Sequence, residues 1–175
     1  MTVGGSAARV KPTLYVDIDG VLSLFSKPGQ PAPIRPDTHF MTVEGIAHLI
    51  ALENCARLLA LADTYELVWA TGWEEKANAN LLDVVGLDGP LETLSFDDHK
   101  YDHQAHWKLG ALEAHSADKA IAWIDDAHDD VCHSWGLARR QPTLLVDTEP
   151  HIGLSDREFD LLIDWAQGAE AADQL

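Results

Sequence analysis

The chain has 175 residues, of which 46% are hydrophobic, enough to form one sizeable core. Its formal charge of -17 and pI near 4.6 argue against binding nucleic acid through the phosphate backbone, because that binding requires a cationic surface. The sequence contains no apolar run long enough to cross a membrane, its first nine residues lack an apolar core long enough for export, and it has only two cysteines. We therefore expect a single cytoplasmic domain without a membrane partner, with a core over about residues 11–168 and flexible ends at 1–10 and 169–175.

The first informative segment is an apolar strand that ends on two carboxylates. Residues 14–16 are a continuous Leu-Tyr-Val run, typical of a strand buried on both faces, and Asp17 and Asp19 follow it before Gly20. Alternation along a strand points both aspartates the same way, and buried strands rarely contain charge. We therefore place them at the open carboxyl end of the strand, where α/β proteins bind ligands. The alternative is that both are solvated turn formers, since Asp-Gly is common in turns.

The next elements follow from periodicity and from turn residues. Four prolines make residues 22–37 a loop, and Glu44-Gly45 joins strands at 39–43 and 46–52 into a β-hairpin. A helix is predicted over 53–64 with Asn54 as its cap, followed by a strand over 66–70 and a helix over 74–85 that ends at Gly86.

The second half of the chain continues the alternation of helices and strands. The sequence predicts, in order, a helix over 102–115 that carries Lys108, a strand over 120–124, a helix over 131–135 that stops before Gly136, a strand over 143–147, and a helix from a Ser155 cap to Gln167. This alternation predicts an α/β fold: a doubly wound, mostly parallel, Rossmann-like sheet of about five strands, with helices on both faces and a β-hairpin flap.

Polar residues at the ends of the predicted strands form an ordered set. Asp17-Ile18-Asp19-Gly20 comes first, then a strand ending in Thr71-Gly72, then Lys108, then a strand ending in Asp125-Asp126. Each motif alone is common, but the ordered set in its strand context is specific. The set resembles the haloacid-dehalogenase-like (HAD) superfamily of phosphohydrolases.

The resemblance implies a role for each matching residue. Asp17 would be the nucleophile that forms an aspartyl-phosphate, Asp19 the acid/base, and Thr71 and Lys108 catalytic ligands of the phosphate, with the backbone N–H of Gly72 beside them. A phosphate monoester and a carboxylate are both anions, so positive charge must bring them together. Lys108 and Mg²⁺ would supply that charge. The metal would be held by Asp17, the backbone carbonyl of Asp19, Asp125, and Asp126 as a ligand or its support.

Within the resembling superfamily, two features narrow the chemistry. Dehalogenases lack the acid at the second position and ATP-driven pumps carry threonine there, so Asp19 indicates phosphatase or phosphotransferase chemistry. Only about 34 residues separate Asp19 from the first helix and about 36 separate Thr71 from Lys108, which leaves no room for a separate cap domain. Capless members often act on bulky phosphoesters or complete their pocket with a partner subunit.

A narrower resemblance concerns residues 67–75 and 123–126. These segments are similar to a small HAD group whose members include domains attached to multi-enzyme RNA-repair proteins, which suggests terminal phosphates of nucleic acid. The acidic charge favours a small phosphorylated metabolite or nucleotide instead. The leading hypothesis is thus a Mg²⁺-dependent phosphomonoester phosphatase. The alternative is a HAD-fold binding or regulatory protein without turnover, against which the intact motif set argues.

Aromatic and histidine residues near the motifs leave further alternatives open. Trp69 and Trp123 lie inside predicted strands and are expected in the core, whereas Trp73 lies just beyond a strand end and is a candidate for touching substrate. Three histidines, His99, His103 and His106, share one face of the predicted helix and could bind zinc, although ordinary surface histidines are the favoured interpretation.

Overall fold

The computed structural model describes residues 10–96 and 103–172. The helices and strands of these residues are, in chain order, β1 (Thr13–Val16), β2 (Thr38–Val43), β3 (Ile46–Ala51), α1 (Leu52–Leu61), β4 (Glu66–Trp69), α2 (Glu75–Val85), β5 (Glu92–Thr93), α3 (Leu109–Ser116), β6 (Ile121–Asp125), α4 (Asp130–Ala138), β7 (Thr143–Asp147) and α5 (Asp156–Ala172). A 3₁₀ turn, Ala105–Lys108, leads directly into α3. None of the described helices is long and apolar enough to cross a membrane.

The main sheet has five strands in the order β5-β4-β1-β6-β7, and every neighbouring pair is parallel. Strands β2 and β3 form a separate antiparallel hairpin, which we call the flap. The predicted Rossmann-like sheet and flap are therefore confirmed. Strands β4 and β5 lie on one side of β1, and β6 and β7, which follow them in the chain, lie on the other side. The strand order therefore reverses at β1. Open α/β sheets bind ligands at the carboxyl ends of the strands at such a point.

Helices cover both faces of the sheet, as the sequence predicts. Leu14 and Val16 of β1 pack on one face, in a core shared with α1, α2 and α5. Tyr15, which points the other way, packs on the opposite face with residues of α3 and α4. Trp69 and Trp123 are fully buried on opposite faces of the sheet, so both belong to the core, as predicted.

The strand register places the motif residues at one edge of the sheet. Val16 pairs with Trp69 of β4 and with Ile124 of β6. The Asp17 N–H donates a hydrogen bond of 3.1 Å to the Ile124 carbonyl, so the aspartates that follow β1 lie beside those that end β6. Since the strands are parallel, the loop after β4 emerges at the same edge.

The described chain has no separate cap domain at this edge. Between Asp19 and α1 it forms a loop and the flap, and between β4 and the 3₁₀ turn its described part contains α2 and β5. The flap is joined to the loop after β1 by backbone hydrogen bonds from the Leu24 N–H to the Leu49 carbonyl (2.8 Å) and from the Ala51 N–H to the Leu22 carbonyl (2.9 Å). The capless prediction therefore holds.

The predicted cap of the first helix is wrong. Helix α1 begins directly after β3 with Ala51 at the cap position, and the Asn54 side chain makes no cap. Asn54 is instead fully buried. Its amide donates to the carbonyls of Val21 and Ile152, at 2.9 Å each. A buried amide must find partners, and here it joins two loops through their backbone carbonyls.

Two helix boundaries also differ from prediction for reasons of tertiary packing. Gly136 lies inside α4 and does not end it. A Cβ at this position would lie 2.8 Å from the Leu145 Cδ1. The glycine therefore permits close packing of α4 on β7. The helix predicted over 102–115 is a 3₁₀ turn followed by α3, and the Ala105 N–H donates to the Ala127 carbonyl (2.7 Å), which holds the turn against the loop after β6.

The remaining differences lie at a short strand and at the chain end. Strand β5 has two residues, too few to produce an alternating pattern in the sequence. Helix α5 extends to Ala172 and so includes the first part of the stretch expected to fray. Before its first turn, the Ser155 N–H donates to the Glu158 carboxylate at 3.0 Å, which is half of a capping box.

Candidate active site

Two buried aspartates and one buried lysine form the centre of the site. Asp17 follows β1 and is 7% exposed, whereas Asp125 ends β6 and is 1% exposed. The Lys108 ammonium lies 3.1 Å from the Asp17 carboxylate and 2.6 Å from the Asp125 carboxylate. Lys108 reaches them from the last residue of the 3₁₀ turn, which the Ala105 contact holds in place. The structure thus brings the first, third and fourth motifs together.

Burial and charge shift the pKa values of this cluster. Burial raises the pKa of Asp17 well above its ordinary value; Lys108 opposes the shift and Asp125 adds to it. Burial alone would lower the pKa of Lys108, but the two carboxylates more than offset it, and the pKa of the ammonium lies above its ordinary value. Burial, followed by the charge of Asp125, raises the pKa of Asp126 to about 6. The site therefore has more negative charge than Lys108 can balance.

The donor set fits a hard divalent cation. One carboxylate oxygen from each of Asp17, Asp125 and Asp126 lies within 4.8 Å of the others. Carboxylate oxygens are the ligands that Mg²⁺ and similar ions prefer, and a dication would balance the excess negative charge. The Asp19 side chain is not part of this group, which is compatible with its predicted contribution through the backbone carbonyl.

We expect the stability of the metal-free domain to fall as pH rises from about 4 to about 6. Asp126 ionises at a lower pH in the unfolded chain than in the folded protein, so its stabilising contribution is complete below its ordinary pKa and is lost as pH passes through about 6. A bound dication would offset the cost of ionising the buried Asp126, whereas protons compete with the dication for the carboxylates. Mg²⁺ should therefore raise the melting temperature more at about pH 7.5 than at about pH 5. Equal increases at both pH values in a thermal scan would contradict this linkage.

Gly20 allows the Asp17-Asp19 turn to pack against Asp126. It has a φ of +74°, and a Cβ there would lie 2.4 Å from the Asp126 Cγ. The turn is held by Thr148, the residue directly after β7. Its hydroxyl donates to the Gly20 carbonyl at 2.8 Å, and its N–H donates to the Asp125 carbonyl at 3.2 Å. Only glycine satisfies both the positive φ and the close approach.

We expect Gly20→Ala to displace Asp126, and Gly45→Ala is the matched control. Gly45 at the flap tip has a φ of +81° but no atom within 4 Å of the methyl group that alanine would add, so its substitution tests backbone strain alone, which costs about 1–2 kcal/mol. The clash at Gly20 should add about 1–3 kcal/mol. Denaturant unfolding measures both losses, and Mg²⁺ titration should show weakened affinity for Gly20→Ala only. Equal effects of the two variants would mean that the Asp126 contact is unimportant.

The Asp19 carboxylate lies beside the aspartate trio and contacts two aromatic side chains. Its Oδ2 accepts a hydrogen bond from the Trp73 Nε1 at 3.0 Å, and its Oδ1 lies 3.6 Å from the His48 Nδ1. The Asp19 side chain is 48% exposed, whereas Trp73 is only 7% exposed. Trp73 thus contacts the predicted acid/base rather than presenting a platform to substrate. No motif in the sequence marks His48; only the pairing of flap and loop brings it here.

Thr71 and Gly72 occupy different positions relative to the site. Thr71 is fully buried, and its hydroxyl oxygen accepts a hydrogen bond from the Trp73 N–H at 3.3 Å. Gly72 lines the cavity described below. The structure therefore brings Gly72 to the cavity wall and leaves Thr71 behind it, so a phosphate contact of the Thr71 hydroxyl stays a prediction.

A cavity of about 750 Å³ opens over the cluster. The predicted site residues that line it are Asp17, Asp19, Gly72, Lys108, Asp125 and Asp126. The sequence motifs missed the rest of its wall, which includes Phe25, Lys27, His103, Gln104, Trp107 and His128. These wall residues come from the loop after β1, from the 3₁₀ turn and the two residues before it, and from the loop after β6. The proximity of these segments depends on the fold.

The histidines near the site do not form a metal centre in the part of the chain that the structure describes. The Nδ1 of His106 lies 2.7 Å from the Asp129 carboxylate, and His103 lines the cavity, while His99 lies outside the described residues. Within the described ranges, the aspartate trio is the only group of at least three His, Cys, Asp or Glu residues compact enough to hold a metal. Because His99 lies outside these ranges, the zinc alternative stays untested.

The fold and this site define the class of protein. A parallel sheet with paired aspartates after its central strand, a buried lysine and a second aspartate pair is the arrangement of a HAD-type hydrolase. The family model described as the HAD domain in Swiss Army Knife RNA repair proteins matches residues 13–159. The chain belongs to this family of HAD domains, which confirms the resemblance found in the sequence. No curated protein matches the chain.

Proposed function

We propose that this HAD domain is a Mg²⁺-dependent phosphatase that hydrolyses phosphomonoesters through a phosphoaspartate on Asp17. The observation that carries the proposal is the position of Asp17. Its buried carboxylate lies 3.1 Å from the Lys108 ammonium, within the compact aspartate trio and at the wall of the cavity. Asp19 lines the same cavity, where it can exchange a proton with a group bound above Asp17.

In the first step, an Asp17 carboxylate oxygen attacks the phosphorus of the substrate. The bond from phosphorus to the ester oxygen breaks, and Asp19 in its protonated form gives its proton to the departing alkoxide, which leaves as an alcohol. Asp17 then carries the phosphoryl group as an acyl phosphate, and Asp19 is a carboxylate. Division of the reaction into two displacements is the usual advantage of covalent catalysis.

In the second step, the Asp19 carboxylate takes a proton from a water molecule, whose oxygen attacks the phosphorus. The bond from phosphorus to Asp17 breaks, which releases inorganic phosphate and restores the Asp17 carboxylate and protonated Asp19. The same residue thus serves as acid and then as base. An exposed Asp19 beside a buried Asp17 suits this division of roles, because only the former must reach water.

Positive charge and hydrogen-bond donors would hold the phosphoryl group during both steps. Asp17, Asp125 and Asp126 would hold Mg²⁺, which when bound supplies charge that lets two anions approach and stabilises the transferring oxygens. Lys108 is fixed between two carboxylates and adds a preorganised positive charge. Gly72 at the cavity wall presents its backbone without a side chain to obstruct the phosphate.

We favour a small phosphorylated metabolite or a nucleotide as substrate. The formal charge of -17 opposes binding of a long polyanion, which would need a cationic surface. The family description mentions RNA repair proteins, so a terminal phosphate of RNA is the second candidate. Phosphate release from a panel of phosphorylated metabolites, nucleotides and phosphate-ended oligonucleotides, with the purified protein and Mg²⁺, would decide between them.

Removal of the metal tests the reaction itself. We expect EDTA to abolish hydrolysis of an aryl phosphate and Mg²⁺ to restore it. Asp125→Asn keeps the shape of the side chain but removes a charged ligand, so Mg²⁺ affinity should fall by at least the roughly 10–100-fold that loss of a group supporting a ligand typically costs. His103→Ala changes the cavity wall without removing a ligand and is the control. Full activity in metal-free buffer would contradict the proposal.

A further inference from the structure

We propose that Trp73 and His48 are positioning residues that hold the Asp19 carboxylate in the orientation required for proton exchange. This inference rests on the proposed function and adds two residues that the motif set does not contain. One comes from the start of the segment after β4 and the other from β3 of the flap. Each approaches a different oxygen of the Asp19 carboxylate.

The Trp73 indole fixes one oxygen of the carboxylate. The indole N–H is a donor only, so at 3.0 Å it requires the Asp19 Oδ2 to be an acceptor. The other oxygen, Oδ1, belongs to a side chain that is 48% exposed. The hydrogen bond therefore orients the carboxylate so that Oδ1 is left for proton exchange at the cavity.

The indole is itself held rigidly. Trp73 is 7% exposed, and its backbone N–H donates to the Thr71 hydroxyl oxygen at 3.3 Å. The His48 ring packs on the indole with the ring centroids 4.5 Å apart and the planes at 60°. A buried donor held at both its backbone and its ring has little freedom to follow a moving carboxylate, so Asp19 must take the orientation that the indole imposes.

His48 links the indole to the turn that carries Asp19. Its Nδ1 lies 3.0 Å from the Ser23 hydroxyl and 3.6 Å from the Asp19 Oδ1, and its side chain is 12% exposed. Ser23 belongs to the same turn, because its carbonyl accepts a hydrogen bond from the Gly20 N–H at 2.7 Å. Ser23 also bridges to Ile50 of the flap. The flap, the Trp73 indole and the turn that carries Asp19 thus contact one another and hold each other in place.

Kinetics of two esters distinguish this role from a general structural role. Trp73→Phe removes the indole donor but keeps an aromatic ring, and His48→Ala removes the ring that packs on it. In single-turnover experiments, each variant should slow phosphorylation by an alkyl ester, whose leaving group needs protonation, by roughly 10-fold or more. The loss should be smaller with an aryl ester. The controls are Trp135→Phe and His39→Ala. The Trp135 indole N–H donates to the Glu113 carboxylate away from the cavity, and His39 is exposed on β2.

A double-mutant comparison isolates the pathway through Asp19. In an Asp19→Asn background the acid/base function is already lost, so adding Trp73→Phe or His48→Ala should cause no further loss with the alkyl ester. Equal losses for the alkyl and aryl esters, or a full additional loss in the Asp19→Asn background, would overturn the proposal. If Trp73→Phe fails to fold, His48→Ala and Ser23→Ala carry the same test.

The indole resonance gives a readout that does not depend on turnover. The Trp73 Nε1–H signal, assigned by its disappearance in Trp73→Phe, should shift on Asp19→Asn, whereas the Trp135 signal should not. An unshifted Trp73 signal overturns the positioning role even in an active enzyme. If the wild-type protein hydrolyses no ester, both this inference and the proposed function are rejected. An active wild type with unchanged ester ratios in the variants rejects the positioning role alone.

Discussion

Asp17→Asn is expected to abolish turnover, with a loss on the order of 10⁴-fold or more, since removal of the proposed nucleophile removes the covalent pathway entirely. The substitution preserves shape, but an amide oxygen beside Lys108 is a poor nucleophile toward phosphorus. Beryllium fluoride, which imitates an acyl phosphate on a carboxylate, should inhibit the wild-type protein in the presence of Mg²⁺ and should have no effect on the variant. Phosphate release and inhibition titrations measure both effects.

The control for Asp17→Asn is Asp156→Asn, at a side chain that is 85% exposed and distant in sequence from every motif. That variant should retain activity and beryllium fluoride inhibition. If Asp17→Asn kept turnover close to wild type, another residue would have to be the nucleophile, and the proposed covalent mechanism would be withdrawn. Loss of folding is checked separately by thermal unfolding of the variant in Mg²⁺.

The second large effect is expected from Asp19→Asn. The amide keeps the backbone carbonyl proposed for the metal but cannot exchange a proton with the leaving group or with water. General acid/base catalysis contributes typically about 10²–10⁴-fold, so hydrolysis of an alkyl phosphate should slow by that order. An aryl phosphate has a more acidic leaving group and needs less help in the first step, so its rate of Asp17 phosphorylation should fall less. Mg²⁺ affinity should be unchanged.

The comparison of the two esters decides what Asp19 does. Single-turnover measurement separates phosphorylation of Asp17 from the later attack of water. The later step starts from the same phosphoaspartate for both esters, so only the first step can differ between them. Equal losses in the first step would mean that Asp19 mainly shapes the site, and its acid/base role would be rejected. Weakened Mg²⁺ binding would instead indicate that its side chain contributes to the cation site.

Much of the fold was predictable because local patterns and tertiary structure agree. The apolar run before Asp17 predicts the buried central strand, and the alternation of side chains predicts that Asp17 and Asp19 lie at its open end. Parallel strands then bring Asp125 to the same edge, so the aspartate cluster follows from the order of the motifs. Lys108 reaches it from a 3₁₀ turn, although the sequence predicted a helix.

Other features depend on contacts between distant segments and left no local pattern. Gly136 is typical of a helix stop in the sequence, yet it lies inside α4, where the Leu145 side chain approaches it closely. Asn54 is typical of a helix cap, yet two loop carbonyls determine its position. The contact of His48 with Asp19 requires the flap to fold over the turn after β1, a placement that no residue spacing encodes.

The central place of β1 in the sheet has a consequence for how the protein would lose the proposed activity on unfolding. Strand β1 is hydrogen-bonded on both edges, to β4 and β6, and its residues are fully buried. Amide protons in such a strand exchange with solvent only when the whole domain opens, whereas an edge strand as short as β5 can open locally. Asp17, the proposed nucleophile, is therefore attached to the part of the chain that is expected to unfold last. Partial fraying of the edges should leave the chemistry intact, and the aspartate cluster should disassemble only with global unfolding.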